Sequence, residues 1–186
     1  MSTKGILILA AVFMVAFGLL GMGRCGYREI ESIQSLEKAG VEINRRFPSV
    51  ESFSPATLLL YQKSGQAVLL IDAREPGEFA LSHLPGAVNL GNVTAVKAYL
   101  ATLNPSPSLI VIYGAIGFRS AELADQLQQS GVAGVKHLEG SVFRWANEGN
   151  PLVGQGDIPT NQVHPYNKTW GKLLNPEYRA NPGAEE

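Results

Sequence analysis

Cysteine is almost missing from this chain: Cys25 is the single one among 186 residues. One thiol forms no intramolecular disulfide and no thiolate metal cluster, and it leaves the redox compartment open. An excess of positive charge is missing as well. The formal net charge is -1 and the isoelectric point lies near 6.3, so the basic stripe of a nucleic-acid-binding protein is not there. Charged residues make up 17% of the chain, against roughly 25% in soluble domains. An uncharged run near the amino terminus accounts for part of that deficit.

The run is Gly5 to Gly23, GILILAAVFMVAFGLLGMG, about 19 residues without a charge. At about 1.5 Å per residue, a helix of this length matches the hydrocarbon core of a bilayer, and soluble core helices are seldom apolar all round. Residues 1–25 are therefore expected to form a transmembrane anchor, with 5–23 in contact with the membrane. A cleaved signal peptide competes, because Lys4 precedes the run and Gly21 and Gly23 form a small-x-small site. The run is longer than the roughly 7–15 residues of a signal core, which favours the anchor. Lipoprotein processing at Cys25 is disfavoured by Arg24 just before it. Lys4 on one side and Arg24 with Arg28 on the other nearly balance the positive-inside count. A domain behind one signal-like segment is more often delivered across the membrane, so the expectation is a single-pass protein with its domain outside the cytoplasm.

Residues 26–47 read as a juxtamembrane helix and linker: Ile30, Ile33 and Leu36 form a stripe, and Gly40 sits where a helix stop belongs. The domain is expected over 48–152. Ser54-Pro55 is a cap followed by proline at the first helical position, with Leu58 to Leu60 and Tyr61 as the buried face and Gly65 as the stop. Ala67–Ile71, Ala87–Leu90, Leu109–Tyr113 and Val135–Leu138 read as short buried strands, with helices over Thr94–Leu103 and from Arg119 to Gln129. Alternation of this kind argues for an α/β fold, a mainly parallel sheet flanked by helices. Ligands of such sheets sit beyond the carboxyl ends of the strands, where Asp72, Gly114 and Glu139 fall.

The most informative stretch is Leu109 to Gln129. A strand breaks into Gly114, Ala115, Ile116, Gly117 and Phe118, and Arg119-Ser120 opens a helix. Strand, glycine-containing loop and helix start make an anion cradle, with turned-in N–H groups, a helix dipole and the charge of Arg119. The competing reading is a βα turn that binds nothing.

This loop resembles the active-site loop of rhodanese-like sulfurtransferases, Cys-x-x-Gly-x-Arg-Ser, with Gly117, Arg119 and Ser120 in place and Gly114 at the cysteine position. Asp72-Ala73-Arg74 through Glu78-Phe79, then Ser82-His83-Leu84-Pro85-Gly86-Ala87, is similar to the family's Asp-x-Arg-x-x-x-Glu-Phe and Gly-His-Ile-x-Gly-Ala. Leu138-Glu139-Gly140-Ser141 through Trp145 and Gly149-Asn150-Pro151 is similar to its closing block. The resemblance implies a single rhodanese-like domain whose chemistry would be sulfur transfer through a persulfide on a low-pKa thiolate. Glycine carries no sulfur, and Ser120 is a poor nucleophile without a base. No catalytic residue is therefore expected, and neither a cofactor nor a metal. By the same resemblance, four residues between Gly114 and Arg119 match the sulfur-transferring members rather than the phosphatases, which have one more.

Asp72 and Arg74 are possible rim residues, though with Glu78 they read first as an ion-pair and turn-capping set. His83 reads as a hydrogen-bonded turn histidine, Phe143 and Trp145 as packing, and Arg119 as either an oxyanion ligand or the partner of a carboxylate. Residues 153–186 form a proline- and aromatic-containing extension in which His164, Tyr166, Trp170, Leu173, Leu174 and Tyr178 are too apolar for a plain linker. Wrapping over the domain is expected, with partner docking through the extension or the loop as the other use. The expected function is a membrane-anchored, non-catalytic binding or scaffold module. The alternative is a sulfurtransferase or sulfur carrier that uses a thiol from elsewhere.

Overall fold

A computed structural model of the chain describes residues 33–181. The apolar run 5–23, Cys25 and Ile30 lie outside the described residues, and among those described no helix is long and apolar enough to cross a membrane.

The first described helix, α1 (Leu36–Arg46), is capped by Ser35, whose side chain accepts from the Lys38 N–H. It runs straight through Gly40 rather than stopping there. A mid-helix glycine costs only about 1 kcal/mol, and burial of Ala39 and Ile43, four residues apart on one face, overrides it. Glu42 strengthens the last turn by pairing with Arg45 at 2.7 Å and Arg46 at 2.5 Å. Both guanidinium groups hold its carboxyl down at about 2.

Strand β1 (Ser52–Phe53) leads into α2 (Pro55–Lys63), which starts at the Ser54-Pro55 signal, the Ser54 hydroxyl accepting from the Thr57 N–H. Leu58 is buried as expected, but Leu60 is 67% exposed, because the short helix turns only one side to the sheet. Then follow β2 (Leu69–Asp72), α3 (Pro76–Leu81), β3 (Val88–Asn89), α4 (Val93–Leu100), β4 (Ile110–Tyr113), α5 (Phe118–Gln129), β5 (Val135–Leu138) and α6 (Ser141–Asn147). The five strands form one sheet in the order β1-β5-β4-β2-β3, every pairing parallel. β2 and β4 are near-continuous in apolar residues, as central parallel strands buried on both faces are, whereas β5 places Lys136 and His137 between Val135 and Leu138. Ile110 and Ile112 of β4 pack with Leu123, Ala124 and Leu127 of α5, Val96 of α4 and Ile71 of β2 in the main core.

The chain leaves β2 toward one edge and β4 toward the other, so the topological switch lies between these two strands. Asp72 ends β2 directly beside Tyr113 of β4, and the Ala73 N–H donates to the Tyr113 carbonyl at 2.8 Å. Gly114 begins the loop at this place.

Past Pro151 a small antiparallel hairpin, β6 (Leu152–Val153) with β7 (Pro159–Thr160), is tied back to the turn after α3 by a bridge from Val153 to His83. The following segment carries only short helical turns at Trp170–Leu173 and Pro176–Tyr178. It nonetheless packs, with Val163, Trp170 and Leu174 buried.

Candidate functional site

The loop from Gly114 to Ser120 is clamped from behind. Two N–H groups of the first turn of α6, those of Val142 and Phe143, donate to the carbonyls of Gly114 and Ala115, each at 3.1 Å. The Ser141 hydroxyl accepts from the Gly114 N–H at 3.0 Å. Ser141 reaches it from a left-handed backbone, φ 51°, just after Gly140 at φ 66°. The Gly-Ser step of the closing block thus positions the loop, a role that the sequence analysis did not assign to it.

The loop itself is covered. Gly114 to Phe118 and Ser120 are buried, and only Arg119 is partly exposed. Gly117 caps α5 with φ 121°, and a Cβ there would meet Ile43 Cδ1 at 2.7 Å, so α1 rests directly on the loop. Gly114 differs. Its φ lies outside the left-handed range, and an added Cβ would find Arg119 Cβ and the Ser120 nitrogen at 3.7 Å, ordinary contact distances. A side chain can therefore stand at this position beside the start of α5. The Ser120 hydroxyl donates to the Gly117 carbonyl at 2.9 Å and is held within the loop.

Arg119 is matched by carboxylates. Its Nη2 lies 2.7 Å from Glu78 Oε2 and its Nη1 lies 3.3 Å from Glu75 Oε1. Glu78 also accepts from the Glu75 N–H at 3.1 Å, which closes the capping box at the start of α3. Over the guanidinium stands Tyr166 of the extension, 5.4 Å from its ring centroid to Cζ. Tyr166 stacks on Trp170 at 4.5 Å, and Trp170 on Phe118 at 6.5 Å. The aromatic residues of the extension are thus set against the loop, a placement no local sequence signal foretold.

Asp72 and Arg74 form a bidentate pair with no exposure of either side chain. Arg74 Nε lies 3.0 and 3.1 Å from the two carboxylate oxygens, and Nη2 lies 2.7 Å from Oδ2 and 2.5 Å from the Ser82 carbonyl. They serve as a structural bolt rather than as open rim groups. Burial, together with the Asp72 charge, pushes the nearby Tyr113 hydroxyl well above its usual range, so it stays protonated and accepts from the Leu84 N–H at 3.1 Å.

His83 stacks on Phe79 at 3.8 Å with Nδ1 at 2.9 Å from the Phe79 carbonyl, the turn role expected of it. Phe143 and Trp145 are buried, again as expected. Glu139 pairs with Arg144 at 2.7 Å. His137 carries no motif that would single it out in the sequence, yet it is buried behind the loop. Its Nε2 is 2.9 Å from Ser52 Oγ, its Nδ1 has no partner, and burial lowers its pKa to about 4.

A parallel five-stranded sheet with a clamped βα loop at its switch point defines the class, and comparison with known proteins gives the family. The Rhodanese-like domain profile matches residues 54–148, half of the chain. The chain belongs to the rhodanese-like domain family. An uncharacterised protein of Synechocystis is 33% identical over 114 residues, covering 58% of this chain and 59% of that protein. A protein named sulfurtransferase from Allochromatium vinosum is 34% identical over 86 residues, covering 46% of this chain and 78% of that one. Less than two thirds of the Synechocystis protein's length is thus spanned. Among solved structures, the thiosulfate sulfurtransferase of Pseudomonas aeruginosa superposes with a TM-score of 0.54 at 16% identity, over 66% of this chain and 23% of that one, a likeness of fold.

Proposed function

We propose that this rhodanese-like domain performs no sulfur transfer through its βα loop and acts as a binding module, tethered to a membrane through residues 5–23. The observation that carries the reading is Gly114 at the carboxyl end of β4, where the family resemblance places a thiolate and where this chain has no side chain. Two further facts support it. The Arg119 charge is matched by Glu75 and Glu78, and the Ser120 hydroxyl bonds to the Gly117 carbonyl rather than to a base.

The test compares the full chain in detergent with its Gly114→Cys variant, for thiosulfate:cyanide sulfurtransfer and for sulfur retained on the protein by mass spectrometry. The unmodified chain is expected to show neither. The variant is expected to gain one sulfur atom on the peptide from Tyr113 to Ser120, because a side chain fits at position 114 within van der Waals distance of the Ser120 nitrogen. Turnover or retained sulfur in the unmodified chain would overturn the proposal. A second reading, a sulfur carrier using a thiol from elsewhere, draws on the name of the Allochromatium vinosum relative, and sulfur found on Cys25 would support it instead.

A further inference from the structure

Residues 163–180 of the extension are knit to themselves. At the base the Val163 N–H donates to the Tyr178 carbonyl at 2.7 Å and the Ala180 N–H to the Val163 carbonyl at 3.0 Å, which closes an Ω-shaped loop. Inside it, Asn167 Oδ1 accepts from the N–H groups of Thr169 and Trp170 at 2.9 and 2.8 Å, and the Arg179 guanidinium donates to the Leu174 carbonyl at 2.6 and 2.8 Å. One margin is fastened to the domain: Val163 and Leu174 are buried, and Asn147 of α6 donates to the Leu173 carbonyl and accepts from the Asn175 N–H, each at 2.8 Å. The other margin carries Tyr166 over the Arg119 guanidinium and Trp170 against Phe118. Ring contacts are weakly directional, and parting them leaves Arg119 on its two carboxylates. Two features mark this margin as one that parts. Tyr166 sits at φ 62°, a left-handed backbone strained for a bulky residue. Between the loop at Tyr166 and Ala180 and the α3 residues Gly77 and Leu81 lies a cleft of about 510 Å³, where a fixed element would be close-packed.

We infer that residues 163–180 are a self-folded cap that pivots on its base and on Asn147 and, when closed, bars access to the βα loop: an autoinhibitory contact. Its own hydrogen bonds keep it folded whether it is open or shut, and the stack of Tyr166 and Trp170 on Arg119 and Phe118 is the latch. The cap acts on access alone, so it stands whether the loop binds a partner or transfers sulfur.

The experiment uses the full chain in detergent with Gly114→Cys as a reporter. A Cβ at 114 stands 3.7 Å from Arg119 Cβ, beside the side chain that Tyr166 covers. Alkylation by iodoacetamide is followed by mass spectrometry of the peptide from Tyr113 to Ser120, with rates compared on the high-pH plateau so that a shifted thiol pKa does not pass for access. Tyr166→Ala and Trp170→Ala are expected to speed labelling about tenfold or more, the weight of the ring contacts, and Tyr166→Phe is expected to leave it slow. Gly171→Ala removes no ring but sets a Cβ 2.8 Å from the Pro165 Cβ inside the cap, and it too is expected to speed labelling. Tyr166 is 40% exposed, which keeps the test readable should Trp170→Ala not fold. Val96→Ala, in the main core on α4, is expected to leave the rate unchanged. Parent rates in both Tyr166→Ala and Gly171→Ala, equal acceleration by Val96→Ala, or a reporter thiol that reacts as fast in the otherwise unaltered folded chain as in urea would overturn the cap.

Discussion

Arg74→Ala removes the guanidinium from a pair that has no solvent to fall back on. The substitution deletes the bonds from Nε and Nη2 to both Asp72 oxygens and the bond to the Ser82 carbonyl. What remains to the buried carboxylate is the backbone N–H of residue 74, now 2.9 Å from Oδ1, and the Tyr113 hydroxyl, neither of which carries a charge. Breaking a buried pair from one side costs about 3–5 kcal/mol, a large part of the roughly 5–15 kcal/mol that holds a domain together. The effect reaches the site as well, since the backbone of Asp72 and Arg74 also accepts from Asn89 Nδ2, at 3.0 and 2.8 Å, at the end of β2. Urea unfolding followed by tryptophan fluorescence measures the loss. The double variant Asp72→Asn with Arg74→Met, which buries no charge, is expected to be more stable than Arg74→Ala alone. A cost below about 1 kcal/mol for Arg74→Ala, or a double variant less stable than the sum of its parts, would refute the reasoning.

Three more outcomes follow from the same geometry. His137 has its pKa lowered from 6.5 to about 4 in the folded chain, so the unfolded state takes up the proton first as pH falls. Its contribution is intact above pH 6.5, is lost progressively toward pH 4 and is level below that, a total of about 3 kcal/mol; His137→Gln should flatten the urea midpoint over this window, and parallel profiles would count against it. Gly117→Ala places a side chain at φ 121° and against Ile43 Cδ1, so a loss of about 1–3 kcal/mol is expected. An Ile43→Ala background should recover the steric share but not the backbone share; Gly117→Ala protein as stable as the parent would contradict both. Trp170→Ala empties the stack between Tyr166 and Phe118, with an expected cost of about 3 kcal/mol and faster protease cleavage between residues 160 and 181. Cleavage at the parent rate would show that the extension is held by something else.

Local signals were enough for much of the fold. The Ser54-Pro55 helix start and the strand Ile110–Tyr113 stand where their residues put them, because a capping hydroxyl and a β-branched run act over a few residues and need no distant partner. The alternation of strands and helices likewise gave the parallel sheet, since parallel strands require crossovers. Gly40 and Leu60 misled for one reason: a glycine stop and an apolar face are weak preferences, and the packing of Ala39, Ile43 and Leu58 outweighs them.

The site divides along the same line. That the loop contains Gly114 and no thiol is a covalent fact, legible without coordinates. That Arg119 is matched by Glu75 and Glu78 and covered by Tyr166 is a tertiary fact, and the two ion pairs alone join residues 44 and 41 positions apart. Hydrogen bonds and ring contacts over such separations depend on where the sheet, α3 and the extension come to rest, and only the folded chain decides that.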